Sequence, residues 1–287
     1  MSFEEVNKKK KKYETGIILG SVITAISFLL FIPIGVGSNG PPFLIMITFM
    51  GGAGVAAYCT AQIKKISIEF KKTYVQLELD KVFPGSKFFA HYGFSEEEVV
   101  YSNLLRNQDR FKSEDMIEGS FDGVKFRSSD VHQQDVRRSG KHTTVVTVFR
   151  GRVYEFDFNK IFKYNLLLLQ KGQFRPFGGY SKVNMESIAF NSELKVYAKD
   201  DHEAFYILTP HFMEKLMELD RKYYDKITFS FLDNKLYIAV DNRVDNFDIK
   251  AFQAVNEAFL NSYVEQFEDM KEFITMLNLT SRMFKDF

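Results

Sequence analysis

The sequence predicts an α+β protein: an N-terminal transmembrane helical hairpin followed by a soluble domain of antiparallel sheet covered by helices. Two uncharged apolar runs, each of about 20 residues, lie between Gly16 and Ile63, and each is long enough to cross a bilayer core as a helix. Alternating apolar and polar residues with turn signals follow in 116–158 and 185–247, as in antiparallel strands. Apolar residues at helical spacing flank these regions.

These patterns divide the chain into three regions. Residues 1–65 hold a lysine-rich N-terminus and the two-helix hairpin, and residues 66–115 form a helical connector. Residues 116–287 form the α+β soluble domain, in which 116–170 and 183–287 are candidates for two similar halves, since both pair strands around a turn.

Composition excludes several functional classes. A formal net charge of +1 gives no overall basic field, so nucleic acid is not expected as a partner. The one cysteine, Cys59, lies inside the second apolar run, which excludes a disulfide within the chain. The glycine-rich stretch KGQFRPFGGYSK, from Lys171, lacks the spacing of a phosphate-binding loop, and we interpret it as a surface loop. No cofactor is expected.

Lysines flank the two apolar runs and set the orientation of the hairpin. The intervening loop, Gly37 to Pro42, carries no charge. By the positive-inside rule both termini are cytoplasmic, and we expect a multi-pass protein of the bacterial inner (plasma) membrane. The same lysines are expected to contact the bilayer surface; they are Lys8, Lys9, Lys10, Lys11, Lys12, Lys64 and Lys65.

Small residues recur every four positions in each apolar run, a spacing that lets two helices approach closely in lipid. These candidate packing residues are Gly16, Gly20 and Thr24 in the first run, and Gly52, Ala56 and Thr60 in the second. Neither run holds an ionisable residue, which favours an anchor over a transporter. The alternative use of the small residues is assembly of several copies into a membrane complex.

Local signals position the elements of the first half of the soluble part. Ser95 and Glu98 form a capping box that begins a helix, and Pro84-Gly85 ends the helix before it. Asp122-Gly123 and Arg150-Gly151 are interpreted as turns of two hairpins.

The last third contains further strands and two helices. FNSELKVYAKD and AFYILTP are interpreted as strands, and Thr209-Pro210 begins a helix. KITFSFLDNKLYIAV predicts a hairpin that turns at Asp233-Asn234, with one buried and one solvated face. A long helix is expected from near Lys250, with an apolar stripe that packs on the sheet.

The stretch 130–142 holds the one concentration of histidine and aspartate in the sequence. His132, Asp135 and His142 are weak candidates for metal ligands, because three such side chains can hold zinc. Their spacing matches no metal or catalytic motif, and a polar loop between strands explains the same residues.

Several stretches together resemble a known family: SNLLRNQDRFKSEDMIEG, SSDVH, TVFRGRVYEFDFNKIF, VYAKDDHEAFYILTPHFMEKL, KLYIAV and LNLTSR. From about Ser95 to Arg282 the chain is similar to the uncharacterised bacterial membrane family known as domain of unknown function 3137. The resemblance implies a two-span anchor followed by this domain, and a LemA-like membrane protein as a candidate partner. It implies no reaction.

The leading hypothesis is therefore a membrane-anchored cytoplasmic binding or scaffold module that recruits a protein partner. One alternative is a membrane-bound hydrolase or metal-binding enzyme that uses the stretch 130–142. The other is a subunit of an oligomeric membrane complex, formed by copies of this chain.

Overall fold

The computed structural model describes residues 3–37, 43–140, 142–157, 165–170, 173, 176, 178–224, 226–243, 249 and 251–279. The chain divides into two compact units. The anchor unit comprises Met1–Val75 and Phe247–Asn261, and the sheet unit comprises Gln76–Asn246 and Ser262–Phe287.

Two long helices form the anchor unit's hairpin. Helix α1 spans Phe3–Gly37, and α2 spans Phe43–Phe70 before one π-helical turn, Lys71–Val75. Both are long and apolar enough to cross a membrane. At 1.5 Å per residue, α1 is about 50 Å long and α2 about 40 Å, so each is longer than a hydrocarbon core of about 30 Å. The predicted helical hairpin is confirmed.

Nine strands form one sheet in the sheet unit, in the order β1-β2-β3-β4-β9-β8-β5-β7-β6, and every neighbouring pair is antiparallel. The predicted antiparallel sheet is therefore confirmed, and strands from both candidate halves belong to this one sheet. The strands are β1 Lys87–Phe89, β2 Arg110–Phe121, β3 Val124–Ser139, β4 His142–Asp157, β5 Leu166–Gln170, β6 Ser181–Val183, β7 Leu194–Ala198, β8 Ile227–Leu232 and β9 Lys235–Val240.

Six further helices accompany the sheet: α3 Gln76–Val82, α4 Glu96–Tyr101, α5 Ile188–Glu193, α6 Asp201–Ile207, α7 Pro210–Lys222 and α8 Glu257–Met276. Helix α8 begins in the anchor unit and ends in the sheet unit. Its apolar stripe is buried as expected, and Phe273 packs edge-on against Tyr154 and Phe156 of β4.

Local signals positioned several elements correctly. Ser95 and Glu98 form the capping box of α4, and the Thr209 hydroxyl accepts a hydrogen bond from the Phe212 amide at the start of α7. Asp122-Gly123 joins β2 to β3, and Asp233 joins β8 to β9, each with positive φ. These signals involve residues within a few positions of one another, so the surrounding fold changes them little.

Three predictions in the sheet unit are wrong. Arg150-Gly151 is not a turn: both residues lie inside β4, and a Cβ on Gly151 would lie 1.9 Å from the carbonyl oxygen of Val240. The glycine therefore permits close strand approach rather than chain reversal. AFYILTP lies largely in α6, because Asp200 caps that helix by accepting from the His202 amide. The residues of 66–115 are not helical throughout, since β1 and the start of β2 lie there.

Two further corrections concern burial and a helix start. Strands β8 and β9 are buried along nearly their whole length, so neither face of this hairpin is solvated. They lie in the middle of the sheet, where both faces are covered. Helix α8 begins at Glu257 rather than near Lys250, and the Asn256 side chain accepts from the Phe259 amide there.

Candidate functional site

The structure places the small residues of the hairpin against one another. A Cβ on Gly20 would lie 2.6 Å from the carbonyl oxygen of Gly52 and 2.9 Å from the amide nitrogen of Ala56. The Thr24 hydroxyl donates to the Gly20 carbonyl at 2.8 Å. Gly16 lies beside Cys59, whose Sγ would be 2.5 Å from an added Cβ. The Thr60 hydroxyl donates to the Ala56 carbonyl within its own helix. The two helices therefore approach at backbone distance.

The flanking lysines differ in their surroundings. Lys10 is 3% exposed; its ammonium group forms an ion pair with Glu14 at 2.9 Å and donates to the Gln253 carbonyl. Lys10 is thus held by protein groups, although it was expected at the bilayer surface. The other six candidate lysines are exposed, and their contact with lipid stays a prediction: Lys8, Lys9, Lys11, Lys12, Lys64 and Lys65.

A short segment near the C-terminal end packs on the N-terminal turns of α1. We call residues 249 and 251–255 the clasp segment. The Asn7 side chain accepts from the Val255 amide at 3.0 Å and donates to the Val255 carbonyl at 2.7 Å. The Phe252 amide donates to Glu14 at 2.7 Å. Sequence analysis missed these contacts because they join residues about 240 positions apart.

The clasp segment also contacts the end of α2. The Ile249 amide donates to the Ser67 hydroxyl at 3.1 Å, and both residues are buried. Phe70 packs against Phe3 of α1 and Phe259 of α8, with ring centroids 6.1 and 6.2 Å away. Within the anchor unit, the flanks of both hairpin helices, the clasp segment and Phe259 therefore pack together.

Residues 130–139 and His142 lie in strands, not in a loop. They belong to a long β3–β4 hairpin in which His132 is opposite Arg150 and Ser139 is opposite His142. His142 therefore lies about 23 Å along the hairpin from His132, at about 3.3 Å per residue. Zinc ligands lie about 2 Å from the metal, so these histidines cannot share one ion. Asp135 instead forms an ion pair with Arg137 at 2.8 Å.

In the part of the chain that the structure describes, no group of three His, Cys, Asp or Glu side chains is placed to hold a metal ion. The loop interpretation failed because alternation is weak in this polar segment. The pairing of β2 with β3 ends at Arg110 opposite Gln134, and β3 and β4 continue beyond it as a two-stranded ribbon. Arg137, Arg138 and His142 at the end of this ribbon are exposed.

Asp130 belongs to a buried ion pair that joins strands of the sheet. It forms an ion pair at 2.8 Å with Arg152, whose side chain is 1% exposed. The same guanidinium donates to the Ser128 hydroxyl at 3.0 Å and to the Asp115 carbonyl at 3.1 Å. A buried guanidinium with this set of acceptors holds β2, β3 and β4 together.

A second ion cluster connects α4 to the sheet. Glu155, 7% exposed, accepts two hydrogen bonds from Arg127, at 2.8 and 2.9 Å, and one from Lys235 at 2.7 Å. Burial alone raises the pKa of Glu155, but the bonds from Arg127 and Lys235 outweigh it, so its pKa lies below the usual value. Arg127 also binds Glu98 of the α4 capping box at 3.0 Å. We assign this cluster to fold stability.

The candidate binding site is a cavity of about 480 Å³ in the sheet unit. Its walls come from the segment before β2, from β3 and β4, and from the adjoining ends of β8 and β9. Leu104, Val148 and Phe149 supply apolar surface. Its polar lining residues are Arg106, Gln108, Gln133, Gln173, Lys226, Thr228, Asp241 and Arg243.

Charges inside this cavity are ordered by hydrogen bonds. Asp241 accepts from the Arg150 amide at 3.3 Å and forms an ion pair with Arg243 at 3.1 Å. Burial raises the pKa of the Asp241 carboxyl, although the neighbouring donors and cations act in the opposite direction. Arg243 also donates to the Thr147 carbonyl at 2.9 Å. Three cationic side chains and one carboxylate line the cavity.

None of these cavity residues was predicted as a site. They come from six separate stretches of the chain, and each stretch alone contains no motif. Gln173 falls within the predicted glycine-rich surface loop, whose Lys171 and Arg175 lie outside the described residues.

Comparison with known proteins places part of the chain in a family. No curated protein matches. A crystal structure of the mycobacterial trehalose monomycolate transport factor A aligns at 9% identity with a TM-score of 0.36, covering 72% of this chain and 96% of that one. A likeness at this level carries no argument about fold or function. Residues 147–279 match the family described as Protein of unknown function (DUF3137). The predicted resemblance to this family of unknown function is thus confirmed over residues 147–279.

Proposed function

We propose that the protein is a membrane-anchored binding module whose sheet unit faces the cytoplasm and recruits a protein partner. The anchor is the α1–α2 hairpin, which holds two helices of membrane-spanning length. The six exposed flanking lysines lie against the anionic inner surface of a bacterial plasma membrane.

The observation that carries this proposal is the packing of the clasp segment on α1. Asn7 is hydrogen-bonded to Val255, so the N-terminal flank of the hairpin and a segment that follows β9 lie together. Two segments that touch each other outside the lipid lie on the same side of the membrane. The chain between Asn7 and Val255 therefore crosses the membrane an even number of times, which agrees with two spans.

Orientation is tested with the full chain and single cysteines in a Cys59→Ala background. Ser139→Cys and Lys87→Cys report on exposed positions of the sheet unit. Ser38→Cys reports on the loop between the spans. In intact cells we expect a membrane-impermeant maleimide to label only Ser38→Cys, and all three positions after permeabilisation. Labelling of Ser139→Cys and Lys87→Cys from outside intact cells would overturn the proposal.

The clasp segment is tested separately by hydrogen exchange in detergent. Asn7→Ala removes both hydrogen bonds to Val255, each with a net value of about 1 kcal/mol, and leaves the Val255 backbone groups unpaired. We expect its amide to exchange at least tenfold faster. Thr15→Ala is the matched control, because its hydroxyl bonds only to the Lys11 carbonyl within the same helix. Equal exchange in both variants would refute the role of Asn7.

A LemA-like membrane protein is the first partner to examine, on the basis of the family resemblance. The test is reciprocal copurification from membranes that express both chains. The alternative of a hydrolase or metal enzyme at residues 130–142 has no geometric support, because these strand residues do not converge. Assembly of several copies stays a prediction, and Gly20 and Gly52 are already in contact within one chain.

A further inference from the structure

We infer that the cavity in the sheet unit binds a phosphate-bearing small molecule. Its cationic side chains, Arg106, Lys226 and Arg243, come from three separate segments and line one space of about 480 Å³. This volume lies within the range of about 300–1,000 Å³ that is typical of small-molecule sites. It is larger than a lone phosphate ion needs, so the phosphate is one group of a larger molecule.

The lining of the cavity holds more cationic than acidic side chains, which points to an anion. Lys226 is exposed at the cavity, near enough to Asp241 to act on its carboxyl. Arg243 is oriented by the Thr147 carbonyl and by Asp241. A charge-assisted contact from an oriented cation to an oxyanion is stronger than a neutral hydrogen bond. Three cationic side chains and one carboxylate line the same space.

Hydrogen-bond acceptors in the same cavity distinguish phosphate from sulfate. Gln133 is 1% exposed, and its Nε2 donates to the Arg106 carbonyl at 3.0 Å. A carbonyl can only accept, so the amide orientation is fixed and Oε1 is the other terminal atom. Gln133 Oε1 is buried and has no hydrogen-bond partner in the described part of the chain. Asp241 adds a second acceptor group.

A phosphate group near neutral pH carries an ionisable proton, with a second pKa of about 6–7, and can donate to these acceptors. Sulfate carries no proton at that pH. A cavity with cations and acceptors together therefore binds a protonated phosphate and rejects sulfate. Sulfate would leave the buried Gln133 Oε1 without a hydrogen-bond donor, whereas a protonated phosphate supplies one.

The experiment uses the full chain in a neutral detergent and measures binding by calorimetry at pH 6.5. Inorganic phosphate is the primary probe, sulfate is the competing oxyanion, and glycerol 3-phosphate is the larger phosphomonoester. Lys226→Gln removes one cation of the cavity and keeps a polar side chain of similar length. Lys87→Gln is the matched control, because Lys87 is an exposed lysine of the sheet unit that does not line the cavity.

We expect saturable phosphate binding, tighter binding of glycerol 3-phosphate, and at least fivefold weaker binding of both probes by Lys226→Gln. Lys87→Gln should bind as the unchanged protein does, and sulfate should bind at least tenfold more weakly. Absence of saturable phosphate binding, equal loss in both variants, or equal affinity for sulfate would each overturn the inference. Each variant is checked for folding by its circular dichroism spectrum before titration.

A lipid headgroup could present the same phosphate chemistry. The titration is therefore repeated in nanodiscs of zwitterionic lipid with and without phosphatidic acid. A soluble source is indicated if phosphatidic acid leaves the glycerol 3-phosphate affinity unchanged, and a lipid source if it competes and Lys226→Gln removes the competition. Orientation in the membrane is measured independently, so failure of this inference leaves the proposed anchoring role untouched.

Discussion

The buried ion pair between Asp130 and Arg152 gives the sharpest test of the fold. In Asp130→Ala the Arg152 guanidinium, 1% exposed, loses the carboxylate that lies 2.8 Å from it. The Ser128 hydroxyl and the Ser128 and Asp115 backbone carbonyls still accept from the guanidinium. The buried cation therefore loses the carboxylate with which it pairs at 2.8 Å.

The expected magnitude follows from measurements on buried pairs. Removing one partner of such a pair costs about 3–5 kcal/mol of unfolding free energy. For a unit of about 200 residues, 1 kcal/mol shifts Tm by about 2–4 °C, so Asp130→Ala should lower the Tm by roughly 6–20 °C. The double variant Asp130→Ala with Arg152→Met should be more stable than Asp130→Ala alone, because the buried Arg152 charge is removed together with its partner.

Thermal unfolding of the full chain in detergent, followed by circular dichroism of the sheet signal, measures both effects. His132→Ala is the matched control from the same strand, and its half-buried side chain bonds to the Thr147 hydroxyl at 3.2 Å. We expect it to change the Tm far less. The reasoning is refuted if Asp130→Ala unfolds within 2 °C of the control, a limit of about 1 kcal/mol, or if the double variant is no more stable than Asp130→Ala.

Two further predictions concern acid stability and the hairpin. Because folding lowers the pKa of Glu155, the stability that this carboxylate contributes is complete above its ordinary pKa of 4.5 and is lost as the pH falls through the folded pKa. Glu155→Gln should therefore lower the Tm at pH 7 and make the Tm decline less steeply below pH 4.5. Parallel curves of Tm against pH for the variant and the unchanged protein would contradict this. A Cβ at Gly20 would lie 2.6 Å from a carbonyl oxygen of α2, whereas one at Gly54 meets nothing within 4 Å. Gly20→Ala should lower the yield of a disulfide between Ser27→Cys and Thr48→Cys severalfold, Gly54→Ala should not, and equal yields would refute the close approach.

Sequence patterns predicted the parts of the fold that depend on neighbouring residues. The apolar runs of the hairpin, the Ser95–Glu98 capping box and the Thr209-Pro210 helix start each depend on a few adjacent positions. The Asp233-Asn234 turn belongs to the same class, because its backbone conformation selects the residue type. Such signals persist whatever the chain packs against.

Features that depend on distant partners were not predictable in this way. Gly151 was predicted to be a turn residue, because the sequence does not show that the Val240 carbonyl lies against it. Only the pairing of β4 with β9 brings these two residues together. Strands β8 and β9 alternate as half-solvated strands do, yet their central place in the sheet buries both faces. The cavity forms only where six segments converge, and its Lys226 is one ordinary lysine in the sequence.

The contact between Asn7 and Val255 sets an order of events during biosynthesis. Asn7 is made first and meets its partner only after 248 further residues have been added. At about 5–20 residues per second, the ribosome takes roughly 12–50 s to supply them. The two hydrophobic helices emerge long before that, so insertion into lipid precedes closure of the clasp segment. A nascent chain that stops before residue 249 leaves Lys10 hydrated and the first turns of α1 uncovered, where a quality-control protease can reach them.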